Sequence, residues 1–231
     1  QAVRWDLIPR NPADAVKPPA PAAREMHPLS ADEARRLLEA ARGDRLEALY
    51  VLAIYTGMRQ GELLALKWED VDLNGRSLRV RRTLTRKSGD GSYDLGEPKT
   101  RKSRRTIRLS GRVVEALRSH RSRQAEERLR LGGLYRDQGL VFAGETGSII
   151  NPSNLRSRSF GPLLERAGVP RITFHDLRHT CASLLFQKNV HPKLVQELLG
   201  HASVAITLDT YSHMLPGMGE EAADAMSEAL G

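Results

Sequence analysis

The chain has 231 residues, 40% hydrophobic and 28% charged, enough for one large or two small globular domains. No apolar run approaches a membrane span, and a single cysteine, Cys181, excludes an internal disulfide and fits a reducing, cytoplasmic setting. The net charge of +8 is concentrated, because twelve Lys and Arg stand against three Asp and Glu between Arg76 and Arg108. One basic segment on a near-neutral body points to a polyanion, DNA backbone above all. A solvated charged hairpin is the plain alternative. The segment lacks a basic amphipathic helix pattern, which argues against a membrane surface.

Residues 1–28 are proline-rich with little periodicity and read as a linker. Ser30 followed by Glu33 predicts a capping box for a first helix with Leu37 and Leu38 inward. LEALYVLAIYTG is almost wholly apolar and predicts a core helix ended by Gly57, followed by a short helix from Arg59 to about Leu66. VDLNGRSLRV alternates around Asn74-Gly75 and predicts a hairpin. GDGSYDLGEP is expected as a flexible loop and TRKSRRTIRL as a returning strand. Ser110 caps a long helix reaching about Leu131, and GLVF reads as a short buried strand. NPSNLRSRSFGPLLERAG, TFHDLRHTCASLLFQKN, HPKLVQELLG and SVAITLDTYSHM predict four more helices, and the tail one further short helix. The expected fold class is mainly α with a small three-stranded antiparallel sheet (α+β).

Five polar residues stand out for chemistry. Arg59 follows the Thr56-Gly57 break at a helix start, where backbone N–H groups favour anions. His175 and Arg178, at i and i+3, share one helix face, and His179 projects elsewhere. His201 closes LLGH, and Tyr211 follows ten residues later. Taken singly, each has an ordinary explanation: a surface arginine, a helix-capping histidine, a core tyrosine. Together they suit attack on a phosphodiester without a metal. Arginine forks neutralise phosphate oxygens, histidines move protons, and a tyrosine hydroxyl can attack phosphorus. His175 and His179 also have zinc-ligand spacing, but no glutamate follows His175 and no third ligand is evident, so no metal site is expected.

TGMRQGELLALKW, EPKTRKSRRTIRL, FHDLRHT, LLGHAS and TLDTYSHM, in that order between Leu29 and Leu215, resemble the motifs of the tyrosine recombinases of the phage integrase type. The resemblance implies that family's catalytic-domain fold over residues 29–215. It implies that Tyr211 is the nucleophile and that Arg59, Arg178 and His201 hold the scissile phosphate. Lys99 falls at the position of the family's general acid for the 5′-oxygen, and His175 at that of a candidate base. The histidine at the position of His179 is assigned to packing. Glu62, one turn after Arg59, is expected to orient it. Arg81, Arg82, Lys87, Arg101, Lys102 and Arg104 in the basic segment are expected to contact DNA.

WDLIPRNPADAVKPP resembles the segment joining such a domain to an upstream core-binding domain, so residues 1–28 are expected to be an interdomain linker. Residues 216–231 are expected to form a helix exchanged between protomers. The implied activity is site-specific cleavage and rejoining of double-stranded DNA through a 3′-phosphotyrosyl intermediate. It would serve integration or excision of a phage or mobile element, without cofactor, metal or ATP. The implied assembly is a homotetramer on DNA that is monomeric when free. A type IB topoisomerase uses much the same residues and is the main alternative. A non-catalytic DNA-binding module and a metal-dependent nuclease are further ones, the last lacking a carboxylate cluster.

Overall fold

The capping box at Ser30 starts the first helix as read: Glu33 N–H donates to Ser30 Oγ (3.2 Å) and Ser30 N–H to Glu33 Oε2 (2.8 Å). The computed structural model of the chain describes residues 2–16, 26–87, 91–97, 104–211 and 226–230. Helix α1 (Ala31–Ala40) buries Leu37 and Leu38, and the preceding Leu29 N–H donates to Thr180 Oγ1 at 2.9 Å, tying the start of the helical body to its centre. Helix α2 (Glu47–Thr56) is apolar all round, and every residue from Ala48 to Ile54 is at most 6% exposed. It packs on the long helix α4 (Gly111–Leu131) and on α7 (Asp176–Phe186). Each large side chain it buries contributes roughly 1.5–3 kcal/mol. α3 (Gln60–Leu64) follows after Gly57–Arg59.

The sheet is built as the alternation predicts. β1 (Val71–Asp72) and β2 (Ser77–Val80) form an antiparallel hairpin, and β5 (Arg105–Arg108) pairs with β2, placing Leu78 opposite Ile107 and Val80 opposite Arg105. Asp72 Oδ1 accepts from the N–H groups of Asn74 and Gly75 and shapes the turn. Two expectations need correction. Residues expected as a flexible loop include β4 (Tyr93–Gly96), which pairs antiparallel with β3 (Thr83–Arg86) in a separate two-stranded ladder. The short YDLG segment carries too little periodicity to announce a strand. Its partner supplies the order. The GLVF segment is buried but is no strand, since only isolated bridges link Lys67 to Leu140 and Ala143 to Ile149. Side chains of α4 satisfy two of its carbonyls instead: Gln124 Nε2 donates to Leu140 O (3.0 Å), and His120 Nε2 bonds Val141 O (2.7 Å).

The second half is helical. α5 (Pro152–Asn154) runs through a π-helical turn (Leu155–Phe160) into α6 (Gly161–Ala167), and α7, α8 (Pro192–Leu199) and α9 (Val204–Tyr211) follow. A large core joins α1, α2, α4, α6 and the sheet. A smaller one, made of Ala182, Phe186, Val195, Leu199 and Tyr211, holds α7, α8 and α9 together. Residues 226–230 are helical. The expectations at Lys99, Arg101 and Lys102, and for most of the tail, lie outside the described residues. Among the described residues no helix is long and apolar enough to cross a membrane.

Candidate active site

The site is assembled around the glycine that ends α2. Gly57 has φ +59°, and a Cβ there would lie 2.5 Å from Leu199 Cδ2 and 3.3 Å from Cys181 Sγ. Only glycine combines this left-handed conformation with so close an approach. The end of α2 therefore sits directly on α7 and α8. Its freed carbonyl, Gly57 O, accepts from Arg178 Nη1 at 2.8 Å.

Arg178 is 2% exposed, and its Nη2 is buried with no hydrogen-bond partner among the described residues. Burial, then the nearby Arg59 guanidinium, lowers its pKa to about 10. A buried guanidinium with a spare donor is costly unless an anion meets it. Arg59 sits at the start of α3, and its backbone N–H and Nη1 donate to the two oxygens of Glu62 at 3.0 and 2.9 Å. The Arg59 side chain is 40% exposed while Glu62 is 3% exposed, so the carboxylate anchors the arginine from below and leaves its outer face open.

Glu62 holds a second arginine that the sequence reading did not single out. Arg105 donates to Glu62 through Nη2 (2.9 Å) and Nη1 (3.2 Å) and to Leu198 O through Nε (2.7 Å). A Cβ on Gly200 would lie 3.0 Å from Arg105 Nη1. Arg105 thus packs the Arg59 turn against the end of α8, where His201 begins. Burial alone would raise the Glu62 carboxyl, but the hydrogen bonds and charge of Arg105, with Arg59, outweigh it and hold the group below the ordinary range. A signal for Arg105 was present, since it lies two residues before the inward Ile107 and so shares its face of the strand.

His201 follows Gly200 (φ +69°), and its backbone is pinned by Gln196, whose O accepts from His201 N at 3.1 Å. Its Nδ1 lies 2.8 Å from Thr207 Oγ1. Burial, then Arg178 and Arg59, pushes its pKa down to about 4. Tyr211 is 1% exposed, and burial raises its hydroxyl to about 12 against the lowering effect of Arg178.

The structure redistributes the histidines of HDLRHT. His175, at the start of α7, is exposed, with its pKa lowered by partial desolvation and then by Arg178 and Arg59. His179, assigned to packing, is the residue that meets Tyr211, with Nδ1 and Oη 2.6 Å apart. Its ring stands edge-on to His175 at 5.0 Å, and burial, then His175, lowers its pKa to about 4. The sequence shows the two histidines one turn apart on α7. Which one α9 reaches depends on how those helices pack.

The described members of the expected DNA-contact set are all ion-paired. Arg82 bridges Asp70 and Glu69, Arg81 approaches Asp70 (3.6 Å), Lys87 Asp94 (3.4 Å) and Arg104 Glu97 (2.7 Å). The Lys87 and Arg104 pairs are exposed on both sides, and such pairs are worth about 0–1 kcal/mol, whereas Asp70, the shared partner of Arg81 and Arg82, is buried. A groove of about 690 Å³ beside the site runs between β5 and α8, lined by Arg104, Arg108, Lys193 and His201 among others. Among the described residues there is no cluster of three His, Cys, Asp or Glu able to hold a metal ion.

A model of the phage integrase family matches residues 28–217. The chain belongs to this family. It is 38% identical to a "Tyrosine recombinase XerC-like" protein of Caldanaerobacter subterraneus subsp. tengcongensis, over 96% of this chain and 58% of that protein. It is 33% identical to an "Integrase" of Streptomyces ambofaciens, over 91% of this chain and 55% of that one. The chain therefore spans under three fifths of these integrase relatives. Among solved structures, XerA recombinase superposes with a TM-score of 0.64 at 29% identity, covering 93% of this chain and 67% of that one. The Tn1549 transposon integrase, solved with circular intermediate DNA, superposes with a TM-score of 0.71 at 23% identity over 91% of this chain and 69% of that one, a likeness of fold.

Proposed function

We propose that this chain is the catalytic part of a site-specific DNA recombinase that cleaves and rejoins strands through a 3′-phosphotyrosyl intermediate. The observation that carries the proposal is the convergence of Arg59, Arg178 and His201 about the Gly57 turn, with Arg178 buried beside Tyr211 and one of its donors unpaired. Family membership supports the same reading.

In the proposed reaction the Tyr211 oxygen attacks phosphorus in line, its proton passing to His175 as the base, and the bond to the 5′-oxygen breaks. Arg59, Arg178 and His201 stabilise charge on the non-bridging oxygens. Lys99 donates a proton to the departing 5′-oxygen. A 5′-hydroxyl of a partner strand then attacks the phosphotyrosine, re-forming a phosphodiester and returning the proton. The phosphotyrosyl link conserves the bond energy, so no nucleotide is consumed. His179 is the hydrogen-bond partner of the resting phenol, and His175, exposed beside Arg178, is left to face the phosphate. Burial lowers the His179 imidazole and raises the Tyr211 hydroxyl, so both rest neutral in this arrangement. Attack requires the buried hydroxyl to leave His179 and reach the DNA, so α9 must shift.

Double-stranded DNA, tetrameric assembly on it, residues 1–28 as an interdomain linker and an exchanged segment 216–231 complete the proposal. So does a role in integrating or excising a mobile element. The test is a nicked suicide duplex carrying a candidate attachment core, incubated in EDTA. A covalent adduct mapped to Tyr211, absent in Tyr211→Phe while DNA binding persists, is expected. Cleavage by Tyr211→Phe would refute the assignment. Strand exchange between two sites, without relaxation of a supercoiled plasmid, separates a recombinase from a type IB topoisomerase.

A further inference from the structure

Thr207 and Tyr211 lie one turn apart on α9, and both are buried, at 0% and 1% exposed. The Thr207 hydroxyl meets His201 Nδ1 at 2.8 Å. Two proton arrangements satisfy this contact. Either the ring is protonated on Nδ1 and donates to the hydroxyl, or the hydroxyl donates to a bare Nδ1 and the ring proton sits on Nε2.

The helix itself discriminates between them. A buried hydroxyl that receives a proton must still place its own. Thr210 shows the usual helical solution, its Oγ1 donating to Ile206 O at 2.6 Å. Thr207 is turned to His201 instead, and its hydroxyl has no other partner among the described residues. His201 Nε2 likewise makes no hydrogen bond among them. Around the ring stand Arg178, Arg59, Arg105 and His179, and with burial they keep it neutral near pH 7. A neutral imidazole has one donor nitrogen, so its tautomer decides whether it can serve an anion at all.

We propose that Thr207 is a positioning residue whose hydroxyl donates to His201 Nδ1, fixing the ring proton on Nε2 and making the ring a hydrogen-bond donor to a phosphate oxygen. The opposite tautomer would turn a lone pair toward the phosphate. Helix α9 then carries both the nucleophile and the group that sets the phosphate-binding histidine, so a shift that exposes Tyr211 also changes the support of His201. The phosphate's part in this rests on the recombinase reading. The tautomer does not.

The test is long-range ¹H–¹⁵N correlation NMR on the ¹⁵N-labelled chain at pH 7 without DNA, with His201 identified by the signal lost in His201→Asn. Wild type and Thr207→Ser are expected to show a pyridine-type Nδ1 and a pyrrole-type Nε2. Thr207→Val, nearly the same shape but without the donor, is expected to lose that exclusive pattern and show both tautomers. Adduct formation on the nicked duplex should fall on the order of tenfold in Thr207→Val, the equivalent of one hydrogen bond, and recover in Thr207→Ser. A wild-type ring protonated on Nδ1 overturns the proposal, even if the valine variant fails to fold. So does a Thr207→Val spectrum identical to wild type. The expected tautomers with no wild-type adduct would sink the recombinase reading alone and leave the role of Thr207 standing.

Discussion

Two arginines, Arg59 and Arg105, take their positions from Glu62. Arg105 is 7% exposed and its fork would be left buried beside a neutral partner in Glu62→Gln. That variant should lose about 3 kcal/mol in urea denaturation. It should also slow Tyr211 adduct formation, because Arg59 loses its anchor. A full rate with reduced stability would show that Arg59 holds its place without the carboxylate. The histidines give a pH signature. His179 and His201 titrate near 4 in the folded chain, below the ordinary value near 6.5. The unfolded chain therefore takes up protons first as pH falls. Stability these groups contribute is present above about 6.5 and is lost between there and about 4. Urea midpoints across that range should fall with pH, and His179→Gln should flatten the dependence. A wild-type midpoint that is level from pH 7 to 5 would contradict the lowered values.

At the scale of elements, the Gly57 turn joins three helices. Gly57→Ala would strain a left-handed residue and push a methyl to 2.5 Å from Leu199 Cδ2. We expect a loss of about 2–4 kcal/mol from backbone strain and overpacking together. Displacement of Gly57 O from Arg178 should also lower the cleavage rate in variants that remain folded. A stability within about 0.5 kcal/mol of wild type would show that α2 and α8 separate easily. Helix boundaries were largely legible in the sequence, because their signals are local. Ser30 with Glu33, Gly57, Ser110 and Gly200 each act within one turn. β4 was not legible, because its order comes from pairing with β3, and YDLG has no strong pattern of its own. GLVF was read as a strand from its apolar run. The Leu140 and Val141 carbonyls are met by side chains of His120 and Gln124, and Val141 N and Gly139 O by the backbone of Leu66 and Trp68, a solution that no feature of those four residues announces.

For the whole molecule, charge placement governs the proposed encounter with DNA. Arg81, Lys87 and Arg104 are each more than half exposed, Lys87 and Arg104 in weak surface pairs and Arg81 at 3.6 Å from the buried Asp70. Replacing all three with alanine should weaken DNA binding similarly across sequences. The slope of log K against log salt should become shallower by about one per lost phosphate contact. An unchanged slope would place the DNA track elsewhere, and the groove between β5 and α8 would be the next surface to test. Deleting residues 217–231 should weaken assembly on DNA while leaving adduct formation by single protomers; unchanged assembly would remove that segment from the proposal.

By itself the sequence determined the helical body and the β1–β2–β5 sheet, and it singled out Arg59, Arg178, His201 and Tyr211 as the proposed set. Those features are written in periodicity, in caps, and in motifs a few residues long. Only the tertiary structure decided which groups touch. Arg178 meets Gly57 across 121 residues, Arg105 meets Glu62 across 43, and Tyr211 meets His179, not His175, across 32. Such contacts are set by how helices and strands pack on one another. Local spacing narrows the candidates to one face and leaves the choice among them to packing.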